Sequence, residues 1–329
     1  FDGFAGRRAE SESRGQLRGI GLGCYIEAAA AMDESAEVVF ENDGTVTILI
    51  GTLTNGQGHA TTYSQVLSDA LGVPFESINL VQGDTARIAT GGGTGGSRSM
   101  MVGGAALTHA AEQIIEKGTK IAAHMLEAAE ADIEFADGTF SIVGTDRTLS
   151  IAEVAVAAKD AANLPEGVEP GLDTKADSNV ADGTYPNGCH ICEIEVDPDT
   201  GSVEITNYAV VDDFGRVVNP LLLAGQVHGG IVQGAGQALM ETCIYDPESG
   251  QLVTGSFMDY CMPRADDFPS FMLDVNEVLC TTNPMGIKGA GEAGTVGALG
   301  ATINALVDAL SGLGIRHIEM PATPERVWR

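Results

Sequence analysis

Glycine gathers into four clusters along this chain, and each stands where the hydrophobic period predicts the start of a helix. They are Asn55-Gly56-Gln57-Gly58-His59, Gly91-Gly92-Gly93-Thr94-Gly95-Gly96-Ser97-Arg98-Ser99, Gln226-Val227-His228-Gly229-Gly230 and Lys288-Gly289-Ala290-Gly291-Glu292. The first N–H groups of a helix have no intrahelical partner, and with no Cβ in the way they attract phosphate or another anion. One such loop reads as a capped tight turn. Four of them, with Gln, Ser, Thr, Arg and Lys alongside, point to a large phosphorylated cofactor held from several sides. The 43 glycines follow no short period, which excludes collagen and solenoid architectures.

Between the clusters the periodicity alternates. A glycine-rich apolar strand is predicted over 17–27, then a hairpin of 37–41 with 46–50 across Asn42-Asp43-Gly44. Tyr63, Val66, Leu67, Ala70 and Leu71 mark one helix face, which Gly72 and Pro74 terminate. A short strand over 78–82 and a long alanine-rich helix over 99–129 follow. The Asp-, Pro- and Gly-rich stretch 160–187 reads as a boundary. Beyond it lie a second hairpin, 189–196 with 203–211, and helices over 225–240 and 293–310. The expected fold class is α+β, with two lobes, mixed sheets and long helices. The expected division is a remnant of a preceding segment or linker over 1–16, a first lobe over 17–180, and a second over 181–329. The opening Phe1-Asp2-Gly3-Phe4, with Met32 the first methionine, reads as the middle of a longer product.

Composition narrows the function. Hydrophobic residues make up 44% of 329 residues, enough to bury the cores of about two domains. Forty-six acidic against 17 basic residues give a net charge of −29, which repels nucleic-acid backbones and anionic membrane surfaces. No apolar run is expected to approach the ~18 residues of a membrane span. Six scattered cysteines read as buried free thiols, favouring a cytoplasmic location.

Several motifs have plain explanations. Gly91 to Gly96 and Gly289 to Gly294 both match G-x-G-x-x-G, but neither closes a strand–helix–strand unit, so neither reads as a dinucleotide fingerprint. Cys189-His190-Ile191-Cys192 lacks the second pair that a structural metal site needs, and reads as a buried strand. His59 and His228 lie inside glycine clusters and are candidates for site roles. Glu292, flanked by glycines in an apolar stretch, is open to pKa tuning by burial, N–H groups and Lys288, as a general base requires.

The ordered set of Gly56-Gln57-Gly58-His59, 94–99, 226–234 and Lys288-Gly289-Ala290-Gly291-Glu292 resembles the molybdenum hydroxylases, the family of xanthine dehydrogenase, aldehyde oxidase and aerobic carbon-monoxide dehydrogenase. The likeness runs over 17–322 and takes in 186–190 and 211–220. It is to the C-terminal, molybdopterin-binding half of the large subunit, without the N-terminal half. The resemblance implies molybdopterin with molybdenum, in the cytosine dinucleotide form, as cofactor. It implies cofactor-binding roles for Gln57, Gly95, Gly96, Ser97, Arg98, Ser99 and Gln226 and a catalytic role for Glu292; Gly56, Gly58, His59, Thr61, Lys288, Gly289 and Gly291, in or beside the same clusters, are further cofactor-binding candidates. The cofactor carries the metal, so no protein ligand to it is expected. The implied reaction is hydroxylation of an aldehyde, N-heterocycle or carbon monoxide with oxygen from water. Iron–sulfur clusters and FAD on partner subunits would take the electrons. The other reading is a non-catalytic assembly module, an isolated half-site that folds without cofactor.

Overall fold

The computed structural model describes residues 2–29 and 32–329; Phe1 of the opening motif lies outside them. In chain order the strands are β1 (Leu17–Ile26), β2 (Ser35–Phe40), β3 (Val46–Ile50), β4 (Ile78–Val81), β5 (Ile133–Ala136) and β6 (Thr139–Ile142). They continue as β7 (Thr148–Ser150), β8 (Thr174–Asp177), β9 (Asn187–Val196), β10 (Val203–Asp213) and β11 (Phe271–Val275). The α-helices are α1 (Phe4–Ser13), α2 (His59–Leu71), α3 (Ser99–Met125), α4 (Ile151–Ala157), α5 (Pro220–Leu239), α6 (Ala293–Leu310) and α7 (Pro324–Trp328). The fold is mixed α and β, as expected.

One core forms on the sheet ordered β4-β3-β2-β8. The β2–β3 hairpin pairs Val38 with Ile48, while β4 joins β3 in parallel. All five residues of β3 are buried, the pattern of a strand covered on both faces. Tyr63 and Leu67 of α2 and Leu107 and Ile114 of α3 fill this core. The small sheet β5-β6-β7 lies at its margin, and Phe140 packs where a Cβ on Gly118 of α3 would stand 2.4 Å from its ring.

The second core forms on the sheet ordered β1-β9-β10-β11, under α5 and α6. Here the packing is unusually close. Gly19, Gly21 and Gly23 line one face of β1, and a Cβ on them would stand 2.0, 2.2 and 2.5 Å from the carbonyl oxygens of Ala305, Ala301 and Gly297. The helix therefore rests on the strand backbone, with no side chain between them. Helices α5 and α6 meet as closely, since a Cβ on Gly230 would be 2.9 Å from Gly294 Cα.

Four expectations change. The segment read as a remnant over 1–16 contains α1, tied down where Arg7 pairs with Glu193 and Ser11 Oγ donates to Glu195 at 2.6 Å. Strand β1 follows the first-half numbering but pairs antiparallel with β9, Gly23 opposite His190, so it belongs to the second core. The cluster at 226–230 lies inside α5 instead of before it. Asn219 caps that helix by accepting from the Leu222 N–H at 3.0 Å, and Pro220 opens it, a start signal that the glycines obscured. Finally, the stretch Ala293–Leu313 is 21 residues long and apolar enough to cross a membrane, against the expectation of no such run. Its apolarity is that of a core helix packed between the sheet and α5.

Candidate cofactor cavity

Three helices open onto one cavity of about 810 Å³, within the range of small-molecule and cofactor sites. They are α2, α3 and α6, whose N-caps are Gly58, Arg98 and Glu292, and none of the three has a side-chain cap. By contrast, Ser150 closes a capping box on α4 and Asn219 caps α5. The uncapped starts leave backbone N–H groups and the positive ends of three helix dipoles facing the same space.

The cavity brings together most of the residues singled out from sequence. Gly56, Gln57 and His59 line it from the start of α2, and Gly95, Gly96, Ser97, Arg98 and Ser99 from the loop before α3. Gln226 reaches it from α5, and Lys288, Gly289, Gly291 and Glu292 from the loop before α6. Gly58 and Thr61 do not line it. Gly58 has φ 85° and lies against Leu222, where a Cβ would come within 2.6 Å. Thr61 turns away, and the neighbouring Thr62 takes its place in the wall. His228 also lies outside, edge-on to Phe271 at 5.2 Å.

Some of these side chains brace the loops. Gln57 turns back on its own turn, its Nε2 donating to the Leu53 carbonyl at 3.3 Å. Arg98 is only 2% exposed, and its guanidinium donates to the Gly93 carbonyl at 2.8 Å and stands 3.9 Å from Glu34. Lys288 is paired with Asp213. Burial works to raise the Asp213 pKa. The Lys288 ammonium and the Gly215 and Val278 N–H groups outweigh it and hold the carboxyl below its ordinary value. His59 is buried, which lowers its pKa against a raising contact with Gln82 at 3.2 Å, and favours the neutral ring. Gln82 in turn donates to Thr52 Oγ1, which bonds the Tyr63 hydroxyl, and Tyr63 donates to the Ser99 carbonyl at 2.8 Å. This chain of bonds ties the start of α2 to the start of α3.

Glu292 sits at the rim. Its N–H donates to Ser97 Oγ at 3.1 Å, and the same Oγ lies 2.7 Å from Glu292 Oε2 and 2.8 Å from Glu27 Oε1. Ser97 adopts φ 54°, a left-handed backbone unusual for a side chain other than glycine, which aims its hydroxyl at both carboxyls. The loops meet here because Gly289 has no side chain: a Cβ would stand 2.1 Å from the Ser97 carbonyl oxygen. Burial, with a further contribution from Glu292, pushes the Glu27 carboxyl up to about 7.

Sequence reasoning missed Glu27, as well as Asn55, Thr62, Gln233 and the wall formed by 214 and 216–219. Gln233 had a signal, since it follows Gln226 by seven residues and shares its helix face. The resemblance takes in 211–220 without implying a site role there.

Comparison with known proteins identifies the family. The family model described as the molybdopterin cofactor-binding domain matches residues 1–269. The chain belongs to that family. It is 38% identical to the nicotine 6-hydroxylase large subunit of Paenarthrobacter nicotinovorans, over 100% of this chain and 42% of that protein. It is 36% identical to the carbon monoxide dehydrogenase large chain of Hydrogenophaga pseudoflava, over 99% of this chain and 42% of that one. Among solved structures, quinoline 2-oxidoreductase from Pseudomonas putida 86 superposes with a TM-score of 0.91 at 34% identity, covering 100% of this chain and 43% of that one. The molybdopterin-binding chain thus spans about two fifths of the length of these relatives.

Proposed function

We propose that this chain is the molybdopterin-binding part of a molybdenum hydroxylase, and that its cavity holds the cofactor in the cytosine dinucleotide form. The observation that carries the reading is the convergence of three uncapped helix N-termini on one cavity with a carboxylate, Glu292, at its rim. The residues present fit an anionic group of that size. Gly95 needs neither a positive φ nor a close neighbour, since a Cβ there would meet nothing within 4 Å, so its missing side chain keeps the cavity open.

In this reading the N–H groups around Gly56, Gln57 and His59, Gly95 to Ser99, and Ala290 and Gly291 hold phosphate and pterin oxygens, with the Gln226 amide opposite. When bound, the cofactor supplies two-electron oxidation of the substrate with oxygen taken from water. Glu292 accepts the proton released as the new C–O bond forms, and its anchor on Ser97 fixes where that proton goes. Arg98 and Gln57 keep the loops in shape. Division into two lobes near residue 180 puts the cavity between them, with β1 crossing over to the second.

An aldehyde, an N-heterocycle or carbon monoxide would be the substrate, admitted by the rest of the large subunit. Iron–sulfur and flavin subunits would carry the electrons away. The location would be the cytoplasm, the compartment in which Cys24, Cys243 and Cys261, exposed here against the expectation of buried thiols, would stay reduced. The test is analysis of the assembled complex for molybdenum and acid-released cytosine nucleotide. Both should be present near one per large subunit. Absence of both from a folded complex made in a molybdenum-replete host would refute the reading.

A further inference from the structure

Counting protons at Ser97 leads beyond the assignment of Glu292. One hydroxyl oxygen lies within hydrogen-bond distance of two carboxyl oxygens, Glu27 Oε1 at 2.8 Å and Glu292 Oε2 at 2.7 Å, and also accepts from the Glu292 N–H. A serine hydroxyl has one proton to give and two lone pairs to receive with. It can donate to only one of the carboxyls. The other contact is a hydrogen bond only if that carboxyl carries a proton and donates it to Ser97 Oγ. The arrangement therefore holds one proton for the pair.

We infer that Glu27 keeps this proton and acts as a positioning residue for Glu292, leaving Glu292 as the ionised member that faces the cavity. Burial decides between the two. Glu27 Oε2 is buried and without a hydrogen-bond partner, a costly setting for a charge, whereas Glu292 is exposed at the rim. Glu27 sits at the end of β1 and does not line the cavity, so its effect on the reaction passes through Ser97 and Glu292. The other titratable groups nearby are Tyr25, whose hydroxyl donates to Asp212 and feels the charges of Glu27 and Asp213, and the Lys288–Asp213 pair.

The consequence is a pH-dependent anchor. Below about 7, the value to which burial raises Glu27, the acid donates to Ser97 and Ser97 donates to Glu292. Above it both carboxyls are charged and repel across one hydroxyl, and the anchor on Glu292 loosens.

The inference rests on the hydroxylase reading for its catalytic meaning, but the proton itself is measured without turnover. Infrared difference spectra of the full chain labelled with carbon-13 glutamate should show a protonated glutamate carboxyl that titrates near neutrality. Glu27→Gln should remove it, while the signal of Glu34, another carboxyl raised by burial, stays. In the assembled enzyme, Glu27→Ala should lower the rate by about ten- to a hundredfold through misplacement of Glu292. Glu27→Gln, which keeps a donor for Ser97 at every pH, should recover most of that loss and flatten the pH profile around neutrality. A titrating carboxyl that survives Glu27→Gln and disappears in Glu292→Gln puts the proton on the other residue and overturns the inference. So does the absence of any such carboxyl from the folded wild-type chain. If the wild-type complex contains no molybdenum and turns over nothing, the hydroxylase reading fails, and the infrared result still decides the pair.

Discussion

Replacing Gly21 with alanine adds one methyl group to the face of β1 on which α6 lies. The new Cβ would stand 2.2 Å from both the Ala301 carbonyl oxygen and the Ala305 nitrogen. Both neighbours are helix backbone, so no rotamer change makes room. To reach ordinary contact at 3.4 Å the helix has to retreat by about 1.2 Å. A gap of about 0.5–1 Å already forfeits a quarter to a half of a dispersion contact, and the packing at Gly19 and Gly23 opens with it. Overpacked cores typically lose about 1–3 kcal/mol, and with nothing able to yield we expect about 3 kcal/mol here. Over a chain of 329 residues that corresponds to a fall of about 4 °C in the unfolding midpoint. The control is Gly6→Ala, on the exposed side of α1, where a Cβ meets nothing within 4 Å. It should gain about 0.5–1 kcal/mol from helix propensity alone. Thermal and denaturant unfolding of both variants, followed by circular dichroism, makes the comparison. A Gly21→Ala midpoint within about 1 °C of wild type would refute the account of α6 lying on bare strand backbone.

Three further outcomes follow from the site. Glu292→Gln keeps shape but cannot take the proton, so the rate in the assembled complex should fall by about two to four orders of magnitude at unchanged molybdenum content. Gly95→Val projects a side chain into open cavity without strain, so cofactor content should collapse while the unfolding midpoint of the chain moves little. The Asp213 carboxyl is held below its ordinary value of 3.8, so its ionisation stabilises the fold above that pH and the gain is lost as pH falls through the depressed value. Asp213→Asn should therefore destabilise the chain at neutral pH, and the difference from wild type should close in acid; an unfolding series across pH checks it.

What the sequence made legible was local. The helix over 293–310 has its apolar stripe and its glycine-rich start within one turn of each other, and the structure places α6 over the same span. The hairpin of β2 and β3 was legible because Asn42-Asp43-Gly44 sits between two apolar runs. Strand β1 was readable as a strand, but its partner β9 is some 170 residues away, and no periodicity carries that information. Helix α1 is polar along much of its length, held by ion pairs of Arg7 to Glu193 and Arg8 to Asp308, so it shows little of the apolar stripe that marks a helix. Gly230 reads as part of a helix start because close helix packing and free N–H groups call for the same residue. Glu27 illustrates the limit most clearly. A glutamate just past the end of a strand is unremarkable until Ser97 and Glu292, from two distant loops, close around it.

The bare-backbone contact between β1 and α6 also works as a vernier. Two residues of strand advance about 6.6–6.8 Å, and four residues of helix about 6.0 Å. The two scales nearly coincide over the rungs Gly19–Ala305, Gly21–Ala301 and Gly23–Gly297, then drift apart by roughly 0.7 Å at each further step. In the observed alignment each of the three strand glycines lies against a helix carbonyl. Sliding the helix by one rung would carry Glu292 about 6 Å along the strand, past the reach of Ser97. A ruler made of missing side chains thus fixes where the carboxylate stands.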